Sequence, residues 1–515
     1  MQKKNVFFFS FEIICVLLRL VYYMAKDSNG SYRHILKYTG IFGGVQGLSI
    51  VLGLVRTKLV ALILGPSGMG LASLFNTTVG FVSQATNLGI SFSAVRHISA
   101  LYDGGQKEEL EHFVKVIRGW CLLTALIGML VCVAIGPLLS QTTFAWGNHS
   151  LHFMLLSPAV GMLAITGGET AILKGMRSLG SLAVIQVLTV VAALVISVPI
   201  YYVFGESGIV PVIVLMALAT MVLTVRQSFR LMPLMLCGAR GILGEGMDMV
   251  RLGVAYTLAA IVGTASEMFI RSYLNVTGDL DVLGLYNAGY MLTITYAGMV
   301  FSAMEADYYP RLSGVQHDIA TTNDTVNRQM EVSLLLISPM LAGLIVFLPI
   351  LVPLLFSQQF LPVVGMAQVA ALAMYMKVLT LPVAYITLAR GYSLSYLFLE
   401  TSYYVVFVLL VIFGYRQWGL LGTGIAVTLA HLFEYLLVNV YAYKNYGYRS
   451  SVTVYRYAIV QIALGLLAYM LTLTAEGVLY WAASALVILL SMGLSLQVLR
   501  SKTHLWQALT KRFLR

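Results

Sequence analysis

Fourteen times along the chain an apolar run long enough to cross a bilayer ends in a short polar or Gly/Pro-containing break. A hydrocarbon core of about 30 Å takes about 20 helical residues, and within one segment only a helix satisfies its own backbone amides in lipid. The runs predict spans at roughly 35–64, 67–100, 108–138, 151–174, 179–204 and 207–232. After a more polar stretch with Arg240, Gly241, Gly244 and Glu245 they resume at 248–276, 282–309, 329–356, 365–390, 393–414, 418–443, 455–474 and 477–499. Only 10% of the 515 residues are charged and 59% are hydrophobic. Soluble domains carry about 25% charged residues. The expected fold class is an all-α polytopic membrane protein of about 14 transmembrane helices.

Loop charge orients the spans. With the N-terminus inside, the inner loops hold Lys107, Lys174, Arg177, Arg230, Arg240, Arg311, Arg328, Arg390, Lys444 and Arg449. The tail adds Arg500, Lys502, Lys511, Arg512 and Arg515, whereas the outer loops hold only Arg416. The split predicts N-in/C-in topology and accounts for the net charge of +11 without a nucleic-acid partner. Cys15, Cys121, Cys132 and Cys237 form no CxxC pair and have no His-rich partner cluster, so neither a disulfide framework nor a zinc site is expected. No cofactor is expected either. Residues 1–23 begin like a signal peptide, yet Glu12 and Arg19 interrupt the apolar centre and no A-x-A-like site follows. The expectation is that translation begins at Met24, or that the segment forms an extra apolar element.

The first and seventh spans echo one another. One runs from Lys37 through Arg56 to the turn and helix start LGPSGMGLASLFN, ending at Asn76; the other runs from Arg251 through Arg271 to GDLDVLGLYN, ending at Asn287. Together with the polar break, the echo divides the chain into residues 24–240 and 241–446 as six-helix lobes, followed by 447–515 as two further helices and a basic tail.

The segment Arg56–Ser99 resembles the opening of bacterial polysaccharide flippases of the O-antigen translocase (Wzx) type. These belong to the multidrug/oligosaccharidyl-lipid/polysaccharide exporter superfamily. The likeness lies in R-x-K within the first span, L-G-P-x-G-x-G at the turn, and G-I-x(3)-A-V-R-x-I-S closing the second span. It implies two lobes around a central cavity in the bacterial inner membrane. It also implies transfer of undecaprenyl-diphosphate-linked oligosaccharide to the outer leaflet by alternating access. The implied partners are the lipid-linked substrate, membrane lipids and, further off, a polysaccharide polymerase and chain-length regulator.

A doubly charged sugar head needs a wet, cationic path through hydrocarbon, and arginine pairs bidentately with phosphate oxygens. Basic residues inside spans are therefore the diphosphate-binding candidates. Arg56, nineteen residues after Lys37, lies about 28 Å along the helix, in its outer half. Lys58 points about 200° away from it, so the two do not share one face. Arg56 is expected to turn inward and Lys58 to reach the outer headgroups. Arg271 echoes Arg56, with Glu267 one turn earlier as an ion-pair partner or a switch. Lys377 lies thirteen residues before Arg390, about 20 Å deep, and is either a substrate contact or the partner of a buried acid. Glu434 and His431, one turn apart, are candidates for ion coupling or for a structural contact. Arg96 and Arg118 read first as inner-side anchors. Glu169, Glu305, Asp307 and Glu400 read as carboxylates near inner ends.

Two rival classes remain. An ion-coupled multidrug exporter of the same superfamily would favour an acidic cavity. A membrane polysaccharide polymerase or acyltransferase would need a long outer loop with catalytic side chains, and the outer loops here are short. There is no GxxxxGK[ST] loop for nucleotide hydrolysis, so a transporter rather than an enzyme is expected.

Overall fold

The computed structural model describes residues 31–103, 105–143, 148–233, 247–295, 297–298, 301, 308, 311–312, 315 and 318–502. The expectations for residues 1–23, the stretch around Arg240, Glu305, Asp307 and the end of the tail lie outside them, as do those for the side chains of Lys37, Arg96 and Arg251. The described residues form helices and no strand. In order these are α1 (Ser31–Thr86), α2 (Ile90–Asp103), α3 (Lys107–Thr143), α4 (Ser150–Gly175), α5 (Leu179–Phe204), α6 (Ile209–Leu231), α7 (Met247–Thr277), α8 (Leu280–Tyr290), α9 (Ile319–Leu355), α10 (Val364–Ala389), α11 (Ser393–Tyr446), α12 (Val452–Thr474) and α13 (Gly477–Lys502).

Nine segments among the described residues are long and apolar enough to cross a membrane, and the protein is a multi-pass membrane protein. Nine is fewer than the fourteen runs in the sequence, partly because consecutive passes stay hydrogen-bonded through their turns. Helix α11 has 54 residues and would measure about 80 Å if straight. Yet Tyr441 Oη donates to Ser395 Oγ at 2.8 Å, so its two arms fold back on each other. The bend is at Trp418–Gly419, where Gly419 has φ +57°, a conformation open chiefly to glycine. Gly414 and Gly422 then meet backbone to backbone, an approach that no side chain at either position would allow. In α1, Gly65 (φ +64°) followed by Pro66 breaks the helix in the same way, within the motif L-G-P-x-G-x-G. The segments Gly180–Leu231 and Leu394–Tyr446, at 52 and 53 residues, each hold two passes.

The chain divides into two compact units, Met1–Thr257 and Leu258–Arg515. In the first, α4 is central and packs on α2, α3 and α6, while α1 runs along α5. Gly168 of α4 brings the helix so close to α3 that an added Cβ would collide with Cys121 Sγ, the use of small residues common between membrane helices. In the second unit α10 packs between α9 and both arms of α11. Helices α12 and α13 lean on α9. Tyr480 Oη donates to the Val346 carbonyl at 2.7 Å, and Gln461 joins Ser491 and Ser495 across the pair. Leucine, valine and isoleucine side chains on the outside of these helices, such as Ile459 at 68% and Val478 at 85% exposure, present a lipid-facing surface.

Candidate functional site

In the first unit Arg56 is half-buried on α1, and its Nε donates to Ser197 Oγ of α5 at 3.0 Å. Ser197 is fully buried, and its Oγ donates a hydrogen bond to the Ala193 carbonyl at 2.5 Å. Tyr201, one turn on, lies within the electrostatic field of Arg56. Among the described residues Arg56 makes no ion pair. Lys58 is half-buried as well. At the turn, Ser67 Oγ donates to Glu206 Oε1 at 3.3 Å.

Arg118 is not an anchor reaching for headgroups. Its Nε and Nη2 donate to the two Glu169 oxygens at 2.8 and 3.2 Å. Its Nη1 and Nη2 also donate to the carbonyls of Pro233 and Met232 at 3.0 and 2.9 Å, and its guanidinium lies 4.5 Å from the centre of the Phe229 ring. The residue thus locks α3 to α4 and neutralises the carbonyl end of α6. Glu169, read from sequence as a carboxylate near water, is 4% exposed.

In the second unit Arg271 of α7 donates from Nε to Asn287 Oδ1 at 3.0 Å and from Nη1 to Glu267 Oε2 at 3.0 Å. The Tyr290 ring lies under it, 5.7 Å to the centroid. The two echoed arginines therefore diverge. Arg271 takes the asparagine that closes the repeated motif, whereas Asn76 turns to its own helix and donates to the Ala72 carbonyl at 2.8 Å. Arg416, the basic residue expected in the outer loops, donates to Tyr273 Oη at 3.2 Å.

Lys377 of α10 pairs with Glu434 of α11, Nζ to Oε1 at 3.0 Å, and lies 5.8 Å from the Tyr403 ring centre. Tyr403 Oη is 3.1 Å from His431 Nδ1. Glu434 thus reaches across to α10, and His431, one turn earlier, reaches back to the other arm of α11. Glu400 joins the same group: both Lys377 and Glu434 bear on its carboxylate. On α7, Gly263 lies against Tyr404, whose Oη would be 2.9 Å from an added Cβ. The Arg271 and Lys377 clusters thereby border one aromatic wall, Tyr290, Tyr403 and Tyr404, inside one unit. Ser197, Asn287, Tyr290 and Tyr403 were not among the sequence candidates. Their sequence signal is a polar side chain inside an apolar span, to which Asn287 adds its place at the end of the repeated motif.

This arrangement of helices is a known transporter fold. The lipid II flippase MurJ in an inward closed conformation superimposes with a TM-score of 0.64 at 14% identity, over 89% of this chain and 99% of that one. An inward-facing multidrug resistance MATE family transporter of the MOP superfamily gives 0.63 at 16% identity, over 76% and 94%. A MOP superfamily transporter from Pyrococcus furiosus, described by the reverse polarity of its binding pocket, gives 0.56 at 14%, over 79% and 96%. The family described as polysaccharide biosynthesis protein matches residues 59–365, more than half of the chain, and the chain belongs to it. No curated protein matches the sequence.

Proposed function

We propose that the protein is a flippase for undecaprenyl-diphosphate-linked oligosaccharide, carrying the repeat unit of a surface polysaccharide from the inner to the outer leaflet of the bacterial cytoplasmic membrane by alternating access. Membership of a polysaccharide biosynthesis family and a fold shared with a lipid II flippase support the class. The observation that carries the substrate is Arg56. An arginine inside an apolar helix, hydrogen-bonded to a neutral serine hydroxyl, is a guanidinium with no ion-pair partner among the described residues, in a place where such a charge is costly. A diphosphate supplies the oxygens its fork is shaped to take. Within the second unit the diphosphate candidates are Arg271, the echo of Arg56, and Lys377. Lys58 is the weakest of the four candidates.

The test is a flipping assay in proteoliposomes with a fluorescent isoprenoid-diphosphate oligosaccharide. A hydrogen bond to a charged group contributes about 1.5–3 kcal/mol, so Arg56→Ala and Arg271→Ala should each lower the initial rate about 10- to 100-fold at limiting substrate. Arg56→Lys should recover part of it. Normal rates in both alanine variants would sink the diphosphate reading, and transport of organic cations in place of the lipid would move the protein to the exporter class.

A further inference from the structure

Lys377 and Glu434 make an ion pair of unequal halves. The lysine side chain is 27% exposed and the glutamate 8%. An ammonium about 20 Å along its helix from the expected inner end does not present its open part to hydrocarbon, so that part faces water. The carboxylate is walled in. The charged and titratable groups that bear on it are Lys377 from α10, Glu400, Tyr403 and Tyr404 from the first arm of α11, and His431 from its own arm. Among the described residues, Lys377 is the cation that Glu400 and Glu434 share. Lysine is also the basic side chain best suited to changing partners, being a compact charge on a flexible stem, whereas arginine is held by the geometry of its fork.

We propose that Lys377 exchanges Glu434 for the diphosphate of the substrate, and that Glu434 takes up one proton from water as it is released. Head-group binding and protonation are then linked. The inference rests on the flippase reading above. Without Lys377, Glu434 is a buried carboxylate with Glu400 close enough to act on it as a like charge, and such pairs do not both stay ionised. A buried charge stripped of its partner is strongly destabilised. The step balances simply. Lys377 remains an ammonium throughout; its N–H···O contact to Glu434 breaks and one to a phosphate oxygen forms. One proton passes from bulk water to the Glu434 carboxylate. When the substrate leaves, the proton returns to water and the ion pair closes again. The lobe therefore changes by one negative charge less than the head group carries.

Geranylgeranyl diphosphate is a suitable probe for the full-length protein in detergent, with binding followed by calorimetry in buffers of different ionisation enthalpy and by a pH indicator in weak buffer. The expected result is about one proton taken up per diphosphate bound, with affinity falling about tenfold per unit rise in pH across the linked range. Glu434→Gln keeps the side-chain shape and should bind the probe without proton uptake and without pH dependence. Lys377→Met should bind more weakly, also without uptake. Wild-type binding with no proton uptake, or uptake that persists in Glu434→Gln, overturns the linkage and leaves the flippase reading standing. Absence of binding to the wild-type protein overturns both.

Discussion

Two ion pairs, one in each unit, join neighbouring helices by the same chemistry and in opposite surroundings. In the first, Arg118 and Glu169 are 7% and 5% exposed. Three guanidinium nitrogens are in use, on two carboxylate oxygens and two backbone carbonyls. In the second, Glu434 is as deep at 8%, but Lys377 is 27% exposed. A sealed pair with every guanidinium nitrogen engaged offers little to a ligand, and its removal unties three helices. A pair with one open half can trade partners. Charge inside a span is thus not enough to mark a functional site; the exposure of the cation separates the latch from the candidate contact.

The latch should show the largest effect on folding. Arg118→Ala leaves Glu169 buried without its partner, which costs about 3–5 kcal/mol. Thermal unfolding in detergent should show a large fall in midpoint or loss of folded protein. Replacing both members with apolar residues, Arg118→Met with Glu169→Leu, should restore much of the loss, because apolar packing often replaces a buried pair without penalty. A single variant as stable as wild type would remove the distinction between the two regions.

The open pair should show the reverse balance. Lys377→Met should cost less stability than Arg118→Ala, about 1–2 kcal/mol, since the proton uptake proposed above neutralises Glu434 once its partner is gone. Transport should suffer more from Lys377→Met than from any latch variant that folds. Measuring unfolding midpoint and flipping rate on the same preparations separates the two effects. If Lys377→Met unfolds as readily as Arg118→Ala, the two pairs are alike and the exposure argument fails.

The helical passes and their turns were legible in the sequence because each obeys a local rule. Apolar length sets the pass, and glycine with proline, as at Gly65–Pro66, ends it. The Arg271–Glu267 pair was legible for the same reason, being a one-turn contact on a single helix. The partners of Arg118, Lys377 and Arg56 lie 51, 57 and 141 residues away. No periodicity reports which helix will face which. Glu169 misled for a related reason: its distance from a helix end suggested water, while the neighbouring Gly168 draws α3 over it. The echo between Arg56 and Arg271 located both residues, yet it missed their different partners, Ser197 and Asn287.

Asp318 extends the comparison to a carboxylate outside the membrane-spanning segments, at the start of α9. Its side chain accepts the Thr321 hydroxyl, and it accepts the Thr321 backbone N–H at 2.9 Å. These bonds favour the ionised form and hold its pKa below the usual 3.8. A carboxyl whose folded-state pKa is depressed contributes stability above the ordinary value and loses it as pH falls through the lowered one. Asp318→Ala should therefore lower the unfolding midpoint slightly at neutral pH, and the difference from wild type should shrink as the pH drops below about 4. Asp318→Asn should keep the helix cap without that pH dependence. A deficit in Asp318→Ala of equal size at neutral and acid pH would show that the carboxylate's charge contributes nothing there. Burial, which Glu169 and Glu434 share and Asp318 lacks, would then be what makes a carboxylate in this protein matter.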